Sequence, residues 1–112
     1  MAEFKDVENE IRDIAEVPAV EVITTTAVHL MSAAAVQCGL SEDGSKGDLD
    51  EARKLINALA GLVTAAAADI GDHHARPLRD GLRTLQLAFR EASSIKDAPG
   101  QGPGEKYTGP VN

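Results

Sequence analysis

A chain of 112 residues with a formal charge of −7 is at most one domain, and with alanine as its dominant apolar residue and only Phe4, Phe89 and Tyr107 as aromatics its core gains little area per residue. The acidic balance disfavours a general nucleic-acid binder and any affinity for an anionic membrane surface. A single cysteine excludes an internal disulfide and fits a reducing compartment, so a cytoplasmic protein is expected, with oligomerisation as the supplement that small cores commonly need.

Residues 1–17 carry six acids and two bases. Phe4, Val7, Ile11 and Ile14 recur among them at helical spacing, so this acidic arm reads as a solvated extension with the pattern of a short helix. The start, MAEFKDVENE, lacks an apolar run, and no signal peptide is expected.

The stretch Pro18–Leu40 holds one charged residue, Glu21. On a helix, Val20, Ile23, Ala27, Leu30, Met31, Ala34 and Cys38 share a face. The opposite face carries Val22, Thr25, Thr26, His29, Ala33 and Val36, and it is nearly as apolar. The β-branched run Thr24–Thr26 makes a strand over 20–26 a competitor, but the longer 3.6-residue periodicity decides for helix. The length suits a membrane span; three threonines, Ser32, Gln37, Glu21 and the missing aromatic or basic flanks argue against one. Pro18 suits the first turn, and Gly39-Leu40 suits the stop.

After a polar loop, SEDGSKG, the second helix has the plainest start in the chain: Asp48 as cap, with Glu51 three residues on in the manner of a capping box. Leu49, Ala52, Leu55, Ile56, Leu59, Leu62, Val63 and Ala66 form its core stripe, while Asp50, Arg53, Lys54 and Asn57 lie opposite. Further along, the outer face turns to Ala58, Gly61, Ala65 and Ala68. Gly71 ends this helix, Asp72 is placed to cap the next, and so short a link makes the two antiparallel neighbours. Pro77 leaves the third start open between Asp72 and Pro77. Leu78, Leu82, Leu85, Phe89 and Ala92 then face one way. From Ser93 the chain reads SSIKDAPGQGPGEKYTGPVN, whose composition predicts a disordered tail, with Glu105-Lys106-Tyr107 as its candidate docking peptide.

VHLMSAAAVQCGL, GDLDEARKLINALAGLV and LRDGLRTLQLAFREAS, in this order, resemble the bacterial family catalogued as domain of unknown function 1844. Val28, His29 and Leu30 fit its first helix, Asp48, Leu49, Ala52, Arg53, Ile56 and Leu59 its second, and Leu78, Leu82 and Leu85 its third. The tail from DAPGQGPGEKYTGPV resembles one branch of the family; the acidic arm and Pro77 depart from the pattern. The resemblance implies a small helical protein and brings no activity.

Asp69, Asp72, His73 and His74 gather at one junction, but Gly71 interrupts the helix and neighbouring histidines point about 100° apart, so no metal site is expected. His29 has no orienting carboxylate or nucleophile in its pattern, Cys38 lies on the core stripe, and GQGPG is followed by no helix; no catalytic residue and no cofactor is expected. Arg76, Arg79, Arg83 and Arg90 form a ridge with Leu87 inside it, suited to an acidic protein surface or a phosphate backbone, or else simply solvated and paired locally through Asp80.

The expected architecture is all-α: an acidic arm over 1–17, three helices within 18–92 spanning about 18–38, 48–68 and 72–92, and a disordered tail over 93–112. The expected function is that of a non-enzymatic interaction protein forming a dimer through Val22, Thr25, Thr26, His29, Ala33 and Val36. A competing account has the arm folding over that strip. The alternative function is an RNA- or ribosome-associated factor working through Arg76, Arg79, Arg83, Leu87 and Arg90, with Tyr107 in reserve for a protein partner.

Overall fold

The computed structural model describes residues 16–112, so the arm expected over 1–17, with Phe4, Val7, Ile11 and Ile14, lies outside the described residues but for Glu16 and Val17. Three long helices follow: α1 over Ala19–Gln37, α2 over Leu49–Ile70 and α3 over Asp72–Ala92. A fourth element, α4, is a single turn over Glu105–Thr108. No strand occurs among the described residues.

The threonines of α1 do not break it, because the helix absorbs their hydroxyls. Thr24 Oγ1 donates to the Val20 carbonyl at 2.9 Å and Thr26 Oγ1 to the Val22 carbonyl at 2.7 Å. The helix stops at a Schellman turn: Gly39 N–H donates to Val36 O and Leu40 N–H to Ala35 O, both at 3.0 Å, with Gly39 at φ +85°. Helix α1 lies chiefly on α2 and more lightly on α3. Its inner stripe is as expected, with Ala27, Ala34 and Cys38 buried and Val20, Ile23, Leu30 and Met31 half-buried. Burial among apolar neighbours raises the Cys38 thiol pKa, which keeps it protonated and inert.

Asp48 caps α2, its Oδ1 accepting from Asp50 N–H at 3.0 Å and Glu51 N–H at 3.3 Å. The capping box is not closed by Glu51, which pairs with Lys54 Nζ at 3.1 Å. Gln37 closes it from the end of α1, its Oε1 accepting the Asp48 N–H at 2.9 Å, so the cap also ties the two helices together. The hairpin of α2 and α3 turns on Gly71 alone. Gly71, rather than Asp72, occupies the cap position of α3, and Pro77 lies within the helix. There it gives up one helical hydrogen bond.

The core brings Ala27 and Ala34 of α1 against Ala52, Ile56, Leu59, Ala60 and Val63 of α2 and Leu78, Leu82, Leu85 and Phe89 of α3. Ala92, counted on the core face of α3, is exposed at the helix end.

Residues 93–112 overturn the expectation of a disordered tail. The segment folds back along α2 and α3, with Pro103, Gly104, Glu105 and Val111 buried. At its start Lys96 Nζ donates to the carbonyls of Arg90, Glu91 and Ser93, gathered at the C-terminal end of α3. The physical reason for order lies in polar contacts with side chains distant in sequence rather than in a core of its own.

Candidate functional site

Two surfaces stand out: the outer face of α1, and a cleft that the folded tail builds against α2 and α3.

On α1, Val22, Thr25, Thr26, His29 and Val36 are exposed and Ala33 is half-buried, as the expected strip requires. Val28, left out of that strip, is more exposed than either flanking valine: 50%, against 38% for Val22 and 48% for Val36. The helical period places Val28 on the flank beside Glu21 and Ser32. The Thr26 hydroxyl is bonded back to its own helix. The helix is also long and apolar enough to cross a membrane, with a mean hydropathy of 1.5.

The second surface depends on how the tail is held. Arg53 Nη2 donates to both Asp97 carboxylate oxygens at 3.1 Å, and its guanidinium carbon lies 4.9 Å from the centre of the Phe89 ring. Arg90 Nη1 donates to the Asp97 carbonyl at 3.2 Å. Asn57 Oδ1 accepts the Gly104 N–H at 2.7 Å, and the buried Gln86 donates through Nε2 to Pro103 O at 3.0 Å and Thr108 Oγ1 at 3.1 Å. Glu105 uses both carboxylate oxygens inside the tail, accepting from Gly102 N–H and Val111 N–H at 2.7 Å each. Gly104 sits at φ +75° with the space of its missing side chain filled: a Cβ there would lie 2.9 Å from Ala60 Cβ. Arg53 and Asn57, which lie opposite the core stripe of α2, are thus tail-binding residues. Gln86, unremarked among the leucines of α3, is the central one; its polar end within an apolar helical stripe was the available signal.

Gly61 of α2 is a point of close approach between α2 and the short α4. A Cβ there would lie 3.3 Å from the Tyr107 hydroxyl, so the absence of a side chain makes room for the Tyr107 ring. Tyr107 remains 44% exposed, with Lys106 Nζ 5.1 Å from its ring centre.

The ridge expected on α3 is divided by this arrangement. Arg90 is committed to the tail and Leu87 is half-buried. Arg79 Nη1 lies 3.8 Å from Asp72 Oδ1, both side chains being largely exposed, whereas neither Arg76 nor Arg83 pairs with Asp80. Arg76 is exposed near the start of α3. Arg79 and Arg83 instead line a cleft of about 370 Å³, walled by Val63 and Thr64 of α2, Leu82 and Gln86 of α3, and Tyr107, Thr108, Pro110 and Val111 of the tail. The structure therefore brings Tyr107 together with two of the four arginines and leaves Arg76 and Arg90 outside.

His73 and His74 stand edge to face, 5.4 Å between ring centres, on the exposed first turn of α3. Among the described residues no three histidine, cysteine, aspartate or glutamate side chains converge as metal ligands would.

No curated protein and no solved structure matches this chain. Residues 19–91, which take in α1, α2 and almost all of α3 but stop short of the tail, match the family model described as Domain of unknown function (DUF1844), and the chain belongs to that family.

Proposed function

We propose that this is a non-enzymatic, cytoplasmic interaction protein that dimerises by pairing the outer face of α1 with that of a second copy. The observation that carries the reading is the exposure of Val22, Val28 and Val36 on a helix whose only charged residue is Glu21. The positions of the strip favour a second copy as the occupant. Val22 and Val36 lie symmetrically about His29, and so do Thr25 and Ala33. In an antiparallel pair crossing at His29, valine would meet valine and a small residue would meet a small residue, so one surface serves both partners. The inner stripe of α1 is already spent on α2 and α3, which favours a protein neighbour over lipid on the remaining face.

Sedimentation equilibrium of the full chain, and of a version lacking residues 1–16, tests the proposal. A dimer in both forms is the expected result, with Thr25→Lys plus Val36→Lys shifting it to monomer while leaving the helical circular dichroism unchanged. Both positions are exposed, so the substitutions leave the core intact. A full chain that is monomeric and dimerises only on truncation would assign the strip to the arm. Monomers in both forms at high micromolar concentration would overturn the proposal.

A further inference from the structure

We propose that the cleft between α2, α3 and the tail is a binding site for a small anionic ligand, an oxyanion carried on an apolar body. Its volume, about 370 Å³, falls in the range of small-molecule sites. Arg79 and Arg83 line it one helical turn apart on α3. Among the described residues neither guanidinium has a close partner. Arg79 has Asp72 at 3.8 Å, exposed and easily exchanged for another anion, and Arg83 Nη2 has the main-chain oxygen of Asn112, at the end of the tail, at a long 3.4 Å.

Among the described residues no aspartate or glutamate lines the cleft, in a chain whose net charge is −7. Glu105, which belongs to the same turn as Tyr107, has both oxygens occupied by the amides of Gly102 and Val111. Two cationic forks in a cleft with no acidic side chain among its described lining residues are a local reversal of the protein's sign, suited to bidentate recognition of a carboxylate or phosphomonoester.

The remainder of the cleft suits an apolar body. Leu82 and Val63 are buried beneath it, and Tyr107 and Pro110 form the opposite wall. That wall is pre-organised: Gln86 holds Thr108, Glu105 holds Val111, and Gly61 seats Tyr107. Pre-organised walls lower the ordering cost of taking up a ligand. No residue of α1 takes part, so the site stands or falls independently of dimerisation.

The test is an amide chemical-shift titration of the full chain with benzoate, phenyl phosphate, inorganic phosphate and benzyl alcohol. Benzoate or phenyl phosphate is expected to shift the amides of Thr64, Tyr107 and Thr108 with a Kd on the order of 1 mM or tighter. Which of the two binds more tightly identifies the oxyanion. Arg79→Gln plus Arg83→Gln is expected to weaken that binding roughly tenfold or more, since a charge-assisted hydrogen bond is lost at each position. Arg76→Gln, outside the cleft, should leave it unchanged. Thr64→Trp, which fills the cleft with both arginines in place, should abolish it. The proposal is overturned by absence of cleft shifts with both aromatic anions, by binding indifferent to the double arginine variant, or by benzyl alcohol or inorganic phosphate binding as tightly as the aromatic anions.

Discussion

Asp48 and Gly104 are two residues on which much larger pieces depend. The Asp48 carboxylate serves two first-turn amides of α2, and its own N–H reaches Gln37 across the loop. Asp48→Ala should therefore destabilise the protein by about 1 kcal/mol in urea unfolding. An unchanged midpoint would mean that the Gln37 contact alone fixes the start of the helix. At Gly104 the obstacle is the backbone. A side chain there must adopt a left-handed conformation, at a cost of about 1–2 kcal/mol, and must also displace Ala60 or Gln86. Gly104→Ala should lower stability by at least that amount and loosen the tail, seen as faster amide exchange at Glu105 and Val111. Exchange rates at wild-type level would show that the tail is held by its other contacts.

At the scale of elements, the three helices were legible because each carries its own local pattern: an apolar stripe at helical spacing, Asp48 as a start, Gly39 and Gly71 as stops. The tail was not legible, for a physical reason. Its glycines and prolines match the composition of disorder, and what orders it lies elsewhere in the chain: Arg53 and Asn57 on one helix, Gln86 and Arg90 on another. The same long-range contacts hid the cleft, since Arg79, Arg83 and Tyr107 come together only once the tail has folded back. Removing residues 93–112 should therefore cost stability. It strips Phe89 of its Asp97-braced cover by Arg53 and uncovers Ala60 and Gln86. A loss of roughly 2 kcal/mol or more, near 10 °C in Tm, is expected by thermal circular dichroism. A truncated protein that melts with the full chain would mean that these contacts bring no net stabilisation.

For the whole molecule, charge and exposure point to the same side. Two copies that each carry −7 repel one another, so a stable contact must bury a face with little charge, and the outer face of α1 answers that need. Helix α1 is 19 residues long, and His29 lies one residue past its midpoint. An antiparallel pair crossing at His29 keeps the overlap of the two helices near its maximum. In the proposed pair the small side chains at Thr25 and Ala33 would let the backbones approach closely. The proposed pair would have a definite register: position 29 would face itself, and position 22 would face position 36 of the other copy. Single cysteines introduced in a Cys38→Ala background read that register, because a disulfide forms only between Cα atoms closer than about 7 Å. Under mild oxidation, His29→Cys should cross-link with itself. Val22→Cys and Val36→Cys should cross-link far more readily when mixed than when either is oxidised alone. Self-linking of both end positions would instead indicate a parallel pair. If none of the three positions cross-links faster than a cysteine at exposed Asp50, α1 is not the dimer interface.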